Sequence, residues 1–168
     1  MIRQATSEDA ARLADIHITS WQAAYADLLP TEFLDGLNAE RERRTEQWQD
    51  WLGTDSSQRS VLVALHDDEV VGFAHTGPSG DKDLKGAGEL YAMYLDPPQY
   101  RKGRGSELMA AVFEELRSVG FSQASLWVMT DNAAARAFYE KHGWEADGKA
   151  TEMCLGIDIP AVRYQTAL

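Results

Sequence analysis

The chain has 168 residues, 44% hydrophobic and 26% charged, which suits one sizeable core and excludes a disordered polypeptide. Sixteen basic residues against 27 acidic give a net charge of −11, so a nucleic-acid partner, which needs a basic footprint, is not expected. A single cysteine, Cys154, excludes an intrachain disulfide and a Cys-based zinc site.

Residues 1–5 read as a first strand. Met1-Ile2-Arg3-Gln4 lacks the apolar core of a signal peptide and no stretch reaches membrane-spanning length. A cytoplasmic protein without a membrane partner is expected. Thr6 followed by Asp9 marks a helix start, and residues 9–25 carry Ala10, Leu13, Ile16, Ile18, Trp21 and Tyr25. Pro30 ends that run, a short helix covers 31–37, and a highly charged helix covers 39–52 with Trp48 and Trp51 on one face. Residues 53–57 form a loop, and strands at 61–65 and 70–75 make a hairpin. Residues 77–88, with four glycines and one proline, read as a mobile loop.

A strand over 89–95 then meets Pro97 and Pro98, and Leu108, Val112 and Leu116 repeat on one face of the following helix, which Gly120 would cap. A strand at 124–129 and a helix at 132–142 follow. Strands at 145–150 and 152–164 close the chain, the second interrupted by Pro160. Helices and strands alternating around one mixed sheet give an α/β fold with no internal repeat and no domain linker.

Chemistry concentrates at two places. Between the 89–95 strand and its helix lie Tyr100, Arg101, Lys102, Gly103, Arg104, Gly105 and Ser106. The first amides of a helix lack partners and carry partial positive charge, so a glycine-bearing, cationic turn there suits an anion such as phosphate. Two glycines alone are also consistent with a plain tight turn. The spacing is not that of a Walker A loop, and the third glycine of the dinucleotide fingerprint is missing. The second place is Asp131-Asn132-Ala133-Ala134-Ala135-Arg136-Ala137-Phe138-Tyr139-Glu140-Lys141-His142-Gly143-Trp144.

Together these blocks resemble the GCN5-related N-acetyltransferase (GNAT) family. The first is similar to its acetyl-CoA motif Q/R-x-x-G-x-G/A and the second to its N-x-x-A-x-x-F-Y-E-K-x-G-F signature, with Trp144 for the final Phe. The likeness extends to the Ile2–Thr6 opening and to Val162-Arg163-Tyr164. It implies a single-domain fold over residues 1–168, with a six- or seven-stranded mixed sheet whose central strands splay to admit acetyl-CoA.

By the same resemblance the pyrophosphate would lie on the amides of Tyr100, Arg101, Lys102, Gly103, Arg104 and Gly105, with Ser106 next. Tyr100 replaces the usual Gln or Arg, and Arg101 a frequent Gly. Backbone of Met93, Tyr94 and Leu95 would pair with pantetheine like an added strand. Asn132 would bond the same arm, although a helix N-cap is its ordinary role. Tyr139 would be the general acid that protonates the departing thiolate, its ordinary role being an aromatic core residue.

Many relatives carry a carboxylate base where Trp127 stands here, so Glu89, entering the central strand, is the candidate base; an exposed strand-edge carboxylate is the plainer reading. His75 and His17 are reserves. The four histidines, His66 and His142 included, show no ligand spacing, so no metal is expected. Trp21, Tyr25 and Phe33 are candidate walls for the acceptor, with Asp27, Glu32 or Asp35 to hold a cationic amine. Cys154 has no activating neighbours and reads as a small buried hydrophobe. The implied activity is acetyl transfer from acetyl-CoA to a primary amine of a small molecule or peptide by direct attack. The alternatives are a non-catalytic acyl-CoA-binding module and transfer to a hydroxyl or a protein N-terminus. A homodimer is common among similar proteins.

Overall fold

In the computed structural model, which describes residues 1–54, 58–154 and 156–168, strand β1 (Ile2–Gln4) leads to a capped helix start. The Thr6 N–H donates to Asp9 Oδ2 at 2.8 Å, and Arg3 grips the same carboxylate through both terminal nitrogens at 2.7 and 2.9 Å. Helix α1 (Ala10–Ala24) follows, then α2 (Thr31–Gly36) and α3 (Arg41–Gly53). Strands β2 (Ser60–His66) and β3 (Glu69–Pro78) form a hairpin whose two linking residues, Asp67 and Asp68, have φ of 50° and 63°. Two such residues match the right-handed twist of the flanking strands. The loop expected at 53–57 lies partly outside the described residues.

Strand β4 (Gly88–Leu95) is followed by α4 (Arg104–Val119), β5 (Gln123–Met129), α5 (Ala133–Lys141), β6 (Glu145–Cys154) and β7 (Asp158–Ala167). Gly120 ends α4 with φ 102°, a conformation that glycine adopts without steric cost. Among the described residues seven strands lie in the order β1-β2-β3-β4-β5-β7-β6, and only the β4–β5 pair is parallel. The final hairpin corrects the sequence reading. β6 runs on to Cys154, so the break expected near residue 151 is a shift in the β6–β7 pairing between Ala146 and Ala150. Pro160 sits inside β7 opposite Glu152 and still accepts the Thr130 N–H through its carbonyl.

The sheet separates two layers. On one face α4 buries Leu108, Met109, Val112 and Leu116 against Leu90, Leu126, Val128 and Tyr164. On the other, α1 and α3 bury Leu13, Ile16 and Trp48 against Val61, Val63 and Phe73. A third cluster joins Ile18 and Trp21 of α1 to Leu34 of α2, Met129 and Ile159. β4 carries one extra residue, Tyr91, between its pairing partners Leu90 and Ala92, which face Thr76 and His75. This bulge breaks the alternation of side chains. Leu90 and Met93 therefore both reach the α4 face, whereas Ala92 and Tyr94 pack on the α1–α3 side.

Candidate active site

The centre of the sheet is open. β4 and β5 pair only at Gly88↔Ala124 and Glu89↔Ser125, after which the two strands part. The Asp96 N–H donates to Val71 O across to β3 at 2.8 Å. Because alternate residues of a strand turn their amides to opposite edges, those of Met93 and Leu95 face the gap and that of Tyr94 faces β3. The Ser20 hydroxyl donates to Leu95 O at 2.7 Å, consistent with that orientation. Of the three residues expected to offer backbone, Met93 and Leu95 turn their amides to the gap and Tyr94 turns its own to β3.

Beside the gap, the turn before α4 is a nest of amides. The N–H groups of Arg101, Lys102, Gly103, Arg104 and Gly105 donate to no backbone acceptor among the described residues. Arg101 and Gly103 both have positive φ, 60° and 83°, and alternation of this kind makes successive amides converge on an anion. The two glycines have different reasons. Gly103 needs its conformation, whereas a Cβ on Gly105 would stand 3.1 Å from the Phe138 ring, so Gly105 lets α5 close on α4. Ser106 departs from expectation. Its N–H is spent on Gly103 O at 3.0 Å. Its hydroxyl lies 2.9 Å from His142 Nε2, the other ring nitrogen sitting 2.7 Å from Phe138 O. The Arg104 side chain turns to Gln99 Oε1, and Tyr100 is partly exposed.

Three tyrosines meet on the far side of the gap. Burial pushes the hydroxyls of Tyr139 and Tyr94 well above the ordinary tyrosine range, and their closeness to Tyr25 adds to it. Tyr139 therefore keeps its proton throughout the working pH range. Its ring is held against Phe138 and Trp144, with centroids 5.6 and 6.3 Å away. Asn132 caps α5 by accepting the Ala135 N–H at 3.0 Å, and it also faces the Tyr25 hydroxyl. Its N-cap role is therefore real, and its amide nitrogen is turned toward the Tyr25 hydroxyl.

A cleft of about 400 Å³ lies on the α1–α3 face of the sheet, lined by Asp81, Glu89, Tyr91, Trp127, Thr151 and Met153. Burial raises the Glu89 carboxyl above its ordinary pKa, opposed by the Gly80 N–H that donates to it at 3.0 Å. His75 and His17 are poorer bases, because burial lowers them to about 4 and about 3. Trp127, standing where the family resemblance would put a carboxylate, donates its indole N–H to Asp81 Oδ2 at 3.1 Å. The loop between β3 and β4 brings Asp81 there, and it is tied down rather than mobile. Arg163 of β7, 3% exposed, binds Asp81, Asp83 and Asp147 at 2.7–3.0 Å. Leu84 and Ala87 of the same loop are buried.

Trp21, Tyr25 and Phe33 do come together, with Trp21 4.9 Å from Tyr25 and 6.5 Å from Phe33 between ring centroids. Trp21 is core, and the three adjoin the cleft through Met153 rather than lining it. Asp27, Glu32 and Asp35 are exposed on the outer side of α1 and α2. Cys154 is exposed, not a buried hydrophobe, because β6 is an edge strand there. Asp81, Tyr91, Thr151 and Met153 escaped sequence reasoning. The only trace was the pair of aspartates flanking Lys82 in a loop otherwise poor in charge before that point, which reads as solvated surface.

The family model described as the acetyltransferase (GNAT) family matches residues 18–144. The chain is 32% identical over 145 residues to YuaI, an uncharacterized N-acetyltransferase of Bacillus subtilis, covering 86% of this chain and 79% of that one. It is 36% identical over 109 residues to a mycothiol acetyltransferase of Kocuria rhizophila, covering 62% of this chain but 34% of the relative. The chain thus spans about a third of the mycothiol acetyltransferases it matches. Among solved structures, PaiA N-acetyltransferase of Thermoplasma acidophilum in complex with coenzyme A superposes with a TM-score of 0.79 at 20% identity, covering 100% and 98% of the two chains. YncA of Salmonella typhimurium, a putative acetyltransferase solved with acetyl-CoA, gives 0.67 at 20% identity, covering 100% and 93%. At these identities the likeness is one of fold.

Proposed function

Because the chain belongs to the acetyltransferase (GNAT) family, we propose that it moves an acetyl group from acetyl-CoA to a primary amine by direct attack, with donor and acceptor bound together. One observation carries the reading. The amides of residues 101–105 are free, those of Met93 and Leu95 turn toward the edge where β4 and β5 part, and Tyr139 packs against the same cluster as Met93, an arrangement that supports one donor site there.

Bound acetyl-CoA supplies an activated thioester acyl group. The amides of residues 101–105 hold its diphosphate, with Lys102 adding charge nearby. The gap-facing strand amides pair with the pantetheine arm, and one of them stabilises the negative charge that grows on the acyl oxygen. Asn132 bonds to the same arm.

Glu89 is the base. It lies four residues, about 13 Å of strand, from Met93, so it draws the ammonium proton through water. Its raised pKa brings it closer to the working pH than an ordinary carboxylate, which favours the transfer. The freed nitrogen bonds to the acyl carbon, and the carbon–sulfur bond breaks as Tyr139 gives its proton to the leaving sulfur. The second proton, still on the new amide nitrogen, passes through water to restore Tyr139, while Glu89 releases the first to solvent. The acceptor enters over Tyr91, Trp127 and Met153, and Trp21, Tyr25 and Phe33 back Met153 from behind. The reading takes residues 1–168 as one domain acting in the cytoplasm, alone or as a homodimer.

The test is release of free CoA, followed with a thiol reagent, across a broad panel of amines. Amine-dependent release supports transfer. Binding of acetyl-CoA without release on any amine would leave a non-catalytic acyl-CoA-binding module, and turnover only on hydroxyls would reassign the acceptor.

A further inference from the structure

Among the described residues, Arg44 has no carboxylate partner. The neighbouring cations are matched: Arg41 pairs with Asp15 and Arg43 with Glu40. Arg44 instead turns inward between α3 and α1, with its nearest terminal nitrogen 3.5 Å from His17 Nδ1. Its Nε is buried and bonded to nothing in the protein. Leaving such a donor unsatisfied is costly, and a charged one more so, so Arg44 has a hydrogen-bonding position to offer a partner.

What surrounds the guanidinium is a set of donors. Trp21 of α1, whose ring centroid is 5.7 Å from His17, turns its buried indole N–H toward the Tyr94 hydroxyl without completing a well-formed hydrogen bond. The His17 ring stacks on Tyr94 at 4.8 Å and 18°. Burial, together with Arg44, holds His17 neutral, so if Nδ1 accepts from Arg44, Nε2 carries a hydrogen and is a further donor. Burial likewise lowers the pKa of Arg44 itself. Tyr94 joins this cluster to the gap, because its hydroxyl also feels Tyr25 and Tyr139. A guanidinium with no ion-pair partner among the described residues and the neutral His17 ring meet, therefore, one aromatic ring away from the proposed acid.

We propose that Arg44, with Trp21 and His17, is a binding subsite for a carboxylate carried by the acceptor amine. A planar guanidinium matches a carboxylate in shape, and a single compensating charge fits one monoanionic group. The acceptor is then a zwitterion of the amino-acid or peptide type. Its ammonium end lies at the gap, where Glu89 reaches it through water, and its carboxylate end on Arg44. The proposal rests on the acetyl-transfer reading but is separable from it.

The experiment compares matched amines with and without a carboxylate, such as phenylalanine with phenethylamine, lysine with cadaverine and a dipeptide with its amide. Wild-type protein should favour the carboxylate member at least 10-fold in kcat/KM. Arg44→Gln should lower kcat/KM for carboxylate amines roughly 30- to 1,000-fold, mainly through KM. It should change the neutral partners less than about threefold, and Arg44→Lys should restore part of the loss.

Equal use of both members, or equal loss on both, overturns the proposal. So does preference for a phosphate-bearing amine, or an Arg44-dependent gain of succinyl-CoA over acetyl-CoA with a neutral amine, which would place the carboxylate on the donor. Direct binding of the amine pairs in the presence of CoA, by calorimetry, gives the same comparison if no amine turns over; that outcome would count against the activity and leave the subsite decided by affinity. Melting curves separate a structural role: with no ion pair to lose, Arg44→Gln should melt no lower than wild type.

Discussion

Replacing Tyr139 by Phe removes one oxygen and keeps the ring between Phe138 and Trp144. What the fold loses is bounded by one hydroxyl, about 1 kcal/mol, or about 2–4 °C in Tm for a chain this long. What the reaction loses is larger. A positioned general acid contributes about 10²–10⁴ in rate, so kcat should fall at least 100-fold, about 2.7 kcal/mol of barrier. The measurements are CoA release at saturating amine and acetyl-CoA binding by calorimetry on the same preparation. Binding should change less than about threefold, since the diphosphate contacts assigned to residues 101–105 are untouched. The wild-type rate should also show no alkaline fall from Tyr139 below about pH 10, because burial raises its pKa rather than lowering it. A parallel loss of binding and turnover would make Tyr139 a packing or binding residue. An unchanged kcat would remove it from the chemistry.

Glu89→Gln should cut kcat/KM about 100-fold and abolish the acid limb of its pH profile. A carboxyl whose pKa rises on folding costs stability once the pH exceeds its unfolded value of about 4.5, so this variant should melt at or above wild type at pH 7 and match it near pH 4; a lower Tm at pH 7 would refute that. Arg163→Met strands the partly buried carboxylates of Asp81 and Asp147, so a loss of about 3 kcal/mol and faster proteolysis within residues 79–87 are expected. An unaltered cleavage pattern would show that the loop is held by Leu84 and Ala87 alone. At position 101, φ of 60° strains any residue with a Cβ, so Arg101→Gly should be more stable than Arg101→Ala by about 1 kcal/mol in denaturant titrations; equal stabilities would argue against that backbone conformation.

Local chemistry settled much of this protein before any contact was known. Thr6 and Asp9 announce α1, Gly120 ends α4, and the two acidic residues between His66 and Glu69 turn the hairpin, because caps and turns depend on residues a few positions apart. The 101–105 nest was legible for the same reason: it lies within a short motif at a helix end. The cleft lined by Asp81 and Glu89 was not legible. Asp81 reaches the cleft only because Arg163, 82 positions along the chain, sits buried in β7 and binds it. Arg44 is unusual only because Asp15 and Glu40 are taken by its neighbours and burial keeps water from its Nε. Likewise, which strand amides face the gap follows from a one-residue bulge at Tyr91 and from where β4 and β5 stop pairing. Spacing along the chain fixes what a segment can form by itself. Charge pairing, burial and register depend on segments far apart in sequence, and only the assembled sheet and helices decided them.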